Sequence, residues 1–492
     1  MLNVIDGAVV ASYALGMLGL GWYYNRLQTN TNEYFVGNGR MNPIVIGISL
    51  FATLLSTISY LSGPGEIIRN GPALLAGSLS IPVSFLVVGY VFIPLFMKHR
   101  VTSAYELLEL KLGLSTRLVG ATMFILLRVM WMAVLLNFAA NATLVILGWG
   151  PERLFSVTLF IAVITLFYST LGGLRAVVIT DLFQFVLLLG GALLVVVFVS
   201  IRMGGFGWFP TGWDPNWKPQ PIFSLDPYER LTVVGVMIMQ TLWQICTAGG
   251  DQTVIQRYMA TVDATAARRA YLTNACASFS VVMILALVGL SLLGYFRTFP
   301  ERLPAGANVI DYADQLFPYF IASQFPVGIS GLVVSGMFAA AMSSIDSGVN
   351  SISAVVITDF VDRFRQERVT ARVHLRWAQA VVVVVGVIVV SGSMLIEYVP
   401  GNLLVVSKRV TDLLVTPLFT LFFFALFVRF ATATGANLGS LAGFLTAIVV
   451  AFWQPLIEAD RGLSITLINP SALLVGVSVG CIVSWLTRRN AH

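Results

Sequence analysis

Charge is scarce in this sequence. Only 11% of its 492 residues are Asp, Glu, Lys or Arg, less than half of the roughly 25% usual in soluble domains. With 57% hydrophobic residues and a mean hydropathy of +0.86, a soluble globular domain is excluded, and the composition reads as an all-α polytopic membrane protein. Cysteine is scarce too. Cys246, Cys276 and Cys481 all fall in apolar segments, so they are expected as free buried thiols and no disulfide framework is implied. The three histidines, His99, His374 and His492, lie outside the predicted span cores. No HExxH, GxSxG or clustered-carboxylate metal motif is found, so the chain is not expected to be an enzyme. A short signal peptide is missing: residues 4–24 are long enough to span, and no small-residue cleavage site follows. The net charge of +6 needs no nucleic-acid partner, because cytoplasmic loops of membrane proteins are basic for topological reasons.

What is present is a series of apolar runs, about thirteen in all. A preliminary helix covers about 4–25. Ten core helices follow at about 42–69 (broken), 72–97, 118–147, 152–171, 176–201, 232–256, 270–296, 324–361, 374–396 and 404–428. Two more stand at about 436–456 and 471–487. The stretch TSAYELLELKLG predicts a short interfacial helix, and the end of the eighth core helix is expected to leave the membrane. With the N-terminus placed outside and the C-terminus inside, 18 Lys and Arg fall in inner loops and 8 in outer ones, the bias expected for that orientation. Trp208, Trp213 and Trp217, in the long outer loop, suit a membrane interface.

The division expected is a preliminary helix and cytoplasmic loop (1–41), a first half of five helices (42–202), an extracellular loop (203–230), a second half of five (231–430) and two C-terminal helices (431–492). Five helices per half invert the second half relative to the first, as in inverted-repeat transporters. Each half opens on a polar, interrupted helix. The first is FATLLSTISYLSGPGEIIRNG, from Phe51; the second is TLWQICTAGGDQTVIQRYMAT, where Gln240, Gln244, Thr247, Asp251 and Gln252 surround Gly249-Gly250. Backbone freed in hydrocarbon is costly, and interrupted helices in corresponding positions point to a transporter site.

Ionisable and hydroxyl groups inside spans mark the remaining sites. Asp181 sits near the inner end of its helix and reads as a functional carboxylate, a solvated end residue or a partner for Arg175. Ala340, Ser343, Ser344 and Ser347 share one helix face. Their stripe reads as close packing or as oxygen ligands for a hard cation. Lys408 and Asp412 stand four residues apart and read as a structural pair. Arg128, deep in its span, needs a backbone carbonyl, an acidic residue or an anionic solute group.

ISYLSGPGEIIRNG, GGLRAVVITDLFQ, GGDQTVIQRYMAT and AAAMSSIDSGVNS together resemble the sodium:solute symporter family, which includes sodium/galactose, sodium/proline and sodium/sialic acid transporters. The resemblance implies a LeuT-like 5+5 inverted repeat, a plasma-membrane location, and sodium-coupled import of a small organic solute by alternating access. It implies a main sodium site of the Ala52, Leu55 and Ala340 carbonyls with the Ser343 and Ser344 hydroxyls. A second sodium site matches Asp181, Ser343, Asp346 and Ser347, with Asp346 standing where some members have serine. Substrate contacts carried over are Ser56, Ser59 and Gln244. Arg128 stands about one turn from the arginine with which a sialic acid transporter holds a carboxylate. With Lys408 near, the solute is expected to be anionic or carboxylate-bearing, or else a sugar. A proton-coupled symporter and a transport-inactive sensor on the same fold are the alternatives.

Overall fold

A computed structural model describes residues 3–26, 31–55, 57–99, 101–365, 370–399 and 403–489. Among these residues the chain is helical, and eleven helices are long and apolar enough to cross a membrane. A bent pair supplies one more candidate.

Helix α1 is Val4–Asn25. The bent pair is α2 (Pro43–Leu54) and α3 (Thr57–Asn70), inclined at 60°. Asn42 caps α2 by accepting the Ile44 N–H at 2.9 Å, with Pro43 fitting the first turn. Helix α4 runs Pro72–His99 and α5 runs Leu114–Leu147. A continuous helical stretch, Leu154–Arg202, is divided at Gly173, whose φ of 57° and ψ of −167° leave helical space. Only glycine adopts such a backbone without strain. Its halves, 154–172 and 174–202, are α6 and α7, close to the two helices predicted there. The second half comprises α8 (Val233–Gly250), α9 (Gln252–Met259), α10 (Ala264–Thr298), α11 (Ala313–Gln324), α12 (Ile329–Val355), α13 (Ala371–Ser393) and α14 (Leu403–Phe427). Helices α15 (Ala433–Ala451) and α16 (Ile468–Arg489) follow. Helix α12 is buried at nearly every position and forms the axis of the bundle.

Several expectations change. The span predicted from residue 324 begins at Ile329, and the segment before it forms a separate helix, α11, that the charge and Pro318 had hidden. The motif Gly63-Pro64-Gly65 does not break its helix but lies inside α3. Its small residues let α3 pass between two neighbours. A Cβ on Gly289 of α10 would lie 2.7 Å from the Pro64 carbonyl oxygen, and one on Gly65 would lie 2.5 Å from an Asp314 carboxylate oxygen. Trp208 and Trp217 are buried, donating to Ser200 Oγ at 2.8 Å and to the Ile68 carbonyl at 3.1 Å; Trp213 is exposed. All three cysteines are free, but only Cys246 is buried; Cys481 is half-buried and Cys276 is exposed on its helix.

Ion pairs fasten both ends of the bundle. At the end that the charge bias assigns to the outside, Arg230 donates twice to Glu66 of α3, at 2.6 and 2.7 Å, and Arg69 pairs with Asp314 at 3.0 Å. At the other end, the short interfacial helix appears as Glu106–Leu112. Its Glu109 accepts from Arg117 at 2.6 Å and from Arg363 at 2.7 Å. Hydrogen bonds from Arg363 and Arg117 hold the Glu109 carboxyl below the usual carboxylate range.

Candidate functional site

The two interrupted helices break in the same manner. Leu55, after α2, is extended with φ −78° and ψ 128°; Asp251, between α8 and α9, is extended with φ −90° and ψ 119°. One extended residue ends a helical ladder and turns carbonyls away from the axis. At the first break those carbonyls meet the buried hydroxyl stripe of α12. Ser343 Oγ donates to the Ala52 carbonyl at 2.9 Å and lies 3.4 Å from the Ala340 carbonyl. Ser344 Oγ lies 3.1 Å from both the Thr53 and Leu55 carbonyls. Ala52, Leu55, Ala340, Ser343 and Ser344 are therefore one buried cluster of oxygens drawn from two helices. Each hydroxyl can turn a lone pair inward by rotating about its Cβ–Oγ bond. Three carbonyls and two hydroxyls, without a full negative charge, make a donor set suited to a hard monovalent cation.

Asp181 of α7 and Asp346 and Ser347 of α12 gather around a side chain just past the end of the helix predicted at about 232–256. Arg257 of α9 is fully buried. Its Nε donates to Ser49 Oγ at 3.0 Å, its Nη1 to the Thr253 carbonyl at 3.0 Å, and its Nη2 to Ser347 Oγ at 2.6 Å and Asp181 Oδ2 at 3.5 Å. Ser49 Oγ also donates to Asp181 Oδ2 at 2.5 Å. Tyr168 donates to Asp346 Oδ2 at 2.6 Å, and Ser347 Oγ lies 3.3 Å from Asp346 Oδ1. Asp181 is thus neither a solvated end residue nor the partner of Arg175, which pairs with Glu33 at 3.0 Å. The signal that could have found Arg257 was charge balance: two carboxylates inside spans require a cation at their depth.

A cavity of about 290 Å³ lies between the breaks. Ser59, Gln244 and Lys408 all line it; Ser56 lies outside the described residues. Gln244 is already engaged with α4, donating to Ser80 Oγ at 3.0 Å and accepting from Ser84 Oγ. Lys408 lies 3.6 Å from Asp412, the pair read from the sequence, and 5.4 Å from the ring centre of Trp243.

Arg128 does not line this cavity. It lies in a smaller inner extension with Trp131, Trp243, Thr247 and Asp251. Of the three partners open to it, it takes the acidic one: Nη2 donates to Asp251 Oδ2 at 2.5 Å and Nε to Oδ1 at 3.3 Å. Asp251 also caps α9 by accepting the Thr253 N–H at 2.8 Å. The pair therefore ties α5 to the break of the second half. Breaking a buried pair from one side costs about 3–5 kcal/mol. Arg128→Gln is expected to lower the melting temperature of the purified protein sharply, and Arg128→Gln/Asp251→Asn to recover part of the loss with substrate affinity within about threefold of wild type. Equal losses of affinity in the single and double variants would instead place Arg128 on the solute.

The chain is similar to known sodium-coupled transporters. The chain is 28% identical to the sodium/sialic acid symporter SiaT of Proteus mirabilis (strain HI4320), over 92% of this chain and 90% of that one. It is 27% identical to the human sodium-coupled monocarboxylate transporter 1, over 91% of this chain and 72% of that one. Among solved structures, a sodium-coupled sialic acid symporter in a substrate-bound outward-open state, described as revealing a novel sodium site, superposes with a TM-score of 0.84. It is 26% identical, with 98% of each chain covered. Mhp1, a nucleobase-cation-symport-1 family transporter, shares the fold alone, with a TM-score of 0.52 at 10% identity, over 93% of this chain and 95% of that one. The fold is LeuT-like and the protein is a multi-pass membrane protein. Residues 34–443 match the sodium:solute symporter family, and the chain belongs to that family.

Proposed function

We propose that this protein imports a small organic solute together with sodium, and that the ion binds at Ala52, Leu55, Ala340, Ser343 and Ser344. The observation that carries the reading is the convergence of Ser343 and Ser344 on the carbonyls of the α2 break. Leu55 belongs to both sites: its carbonyl faces the oxygen cluster, and the residue lines the cavity. An ion that fixes this break fixes one wall of the solute site, so sodium and solute should each raise the other's affinity by the same factor.

The family resemblance also offered a second sodium site at Asp181, Ser343, Asp346 and Ser347. Here Ser347 and Asp181 are engaged by the Arg257 guanidinium. The arrangement supports Arg257 as the resident cation of that cluster and one sodium ion in the main site. The test of sodium coupling is uptake into proteoliposomes at fixed pH with sodium replaced by choline. Uptake should fall to the level of empty liposomes. Uptake that persists in choline and follows an imposed proton gradient would establish proton coupling instead.

A further inference from the structure

We propose that residues 101–112 are the inner lock of the transport cycle: Thr102, Ala104 and Tyr105 grip the second break, and solute leaves inward only when those bonds part. The assignment rests on the symporter reading and adds to it the contact that must open. The cavity reaches outward from the two breaks, along Ser62, Gly63 and Ile67 of α3 and Val236 and Met239 of α8. At the end that the charge bias assigns to the inside, α9 covers it, and every residue of α9 is buried.

The two breaks are held differently. At the first, the freed carbonyls meet hydroxyls of α12, which can turn to admit an ion. At the second, other parts of the chain take the freed polar groups. Tyr105 Oη donates to the Gly250 carbonyl at 3.2 Å. The Gln252 amide grips the same segment with both ends, accepting the Ala104 N–H at 2.8 Å and donating to the Thr102 carbonyl at 2.7 Å.

The opposite side of the segment is fastened to α5 and to the continuation of α12. Ser103 Oγ donates to Asp359 Oδ2, and Arg117 of α5 donates from Nε to Asp359 Oδ1 at 2.6 Å and from Nη2 to the Thr358 carbonyl at 3.0 Å. Both side chains of this ion pair are buried. The Tyr105 ring packs against Phe124 of α5 and Phe422 of α14, with ring centres 5.7 and 5.8 Å away. Gly120 of α5 leaves room for it: a Cβ there would lie 3.1 Å from the Tyr105 ring and 2.7 Å from Leu108.

Alternating access moves one group of helices against another around a fixed site. On one side of the segment stand three neutral hydrogen bonds to Gly250 and Gln252; on the other stands a buried ion pair. Neutral hydrogen bonds contribute less than a buried pair costs to break. The segment therefore stays with α5 and α12 and parts from the second break.

The test reads which side of the membrane reaches the cavity floor, and it needs no solute. The reporter is Thr247→Cys in a chain carrying Cys246→Ser, Cys276→Ser and Cys481→Ser. Thr247 lines the cavity and its inner extension, and its hydroxyl has no partner to lose. Its reaction with a membrane-impermeant methanethiosulfonate is timed in right-side-out and inside-out vesicles, in sodium and in choline. In sodium the parent should react faster from the outside. Tyr105→Phe, which removes one hydroxyl and keeps the ring, should raise the inside rate severalfold. Tyr105→Phe/Gln252→Leu, which removes all three bonds, should raise it by about tenfold or more and lower the outside rate. Choline should raise the inside rate of the parent, because sodium favours the arrangement in which its oxygen cluster is assembled.

An inside rate that neither variant changes, with the choline effect intact, would overturn the lock and leave sodium coupling standing. Equal gains from both sides would mark a loosened fold and overturn the lock, as would a parent that reacts faster from the inside. Variants that shift the rates in a protein indifferent to choline would overturn the sodium site and keep the lock. No effect of either the variants or choline would overturn both.

Discussion

Replacing Ser344 with alanine is expected to raise the half-saturating sodium concentration for uptake roughly ten- to hundredfold. A hydrogen-bonding group facing a charged partner contributes about 1.5–3 kcal/mol, and each 1.4 kcal/mol is about tenfold in affinity. Ser344 is the more sensitive of the two serines, because its hydroxyl bridges the Thr53 and Leu55 carbonyls, each at 3.1 Å. Losing it removes an ion ligand and also releases the carbonyls that shape the break. Ser343→Ala removes a hydroxyl held at 2.9 Å by Ala52 alone, with Ala340 at a longer 3.4 Å, so its effect should lie toward the lower end of the range. The sodium dependence of uptake at constant ionic strength measures both. A sodium curve unchanged from wild type in Ser344→Ala would remove this residue from the ion site.

A larger loss of folded protein is expected from Arg257→Met. The side chain is fully buried, as is Asp181, so the substitution leaves a buried carboxylate without its cation. Removing one partner of a buried pair costs about 3–5 kcal/mol. It would also strip donors from Ser49 and Ser347. The purified variant should show a markedly lower melting temperature in detergent and poor recovery from the membrane. Arg257→Met/Asp181→Asn removes both charges and should regain part of the loss. If the double variant is no better than the single, then Asp181 is not the group whose charge Arg257 compensates.

These two clusters also show how far a sequence of this kind can be read. The Ser343 and Ser344 stripe was legible because helical periodicity alone puts the two hydroxyls on adjoining positions of one face. The α2 break was legible because serine and threonine interrupt an apolar run. Their meeting is a tertiary fact, and it entered only through the family resemblance. Arg257 was misread because α9 is short and strongly amphipathic, a pattern shared by half-helices that end in cytoplasmic loops. In the structure every residue of Gln252–Met259 is buried, because Gln252 and Gln256 bind backbone on either side. Gln252 accepts the Ala104 N–H at 2.8 Å and donates to the Thr102 carbonyl at 2.7 Å, and Gln256 donates to the Phe35 carbonyl. Arg128 was recognised as a cation needing a partner, but Asp251 could not be chosen over a solute without the spatial arrangement of α5 and α9. Glycine and proline disfavour helices, yet Gly63-Pro64-Gly65 lies inside α3. Close passage beside Gly289 and Asp314 gives those small residues a packing role instead.

The most direct measurement is equilibrium binding of radioactive sodium to the purified protein, with Ser344→Ala as the matched comparison. Saturable sodium binding, strengthened by the transported solute and lost or at least tenfold weaker in Ser344→Ala, is the predicted result. Saturable binding of equal affinity in wild type and variant would contradict the account, because the ion would then lie away from the junction of α2 and α12.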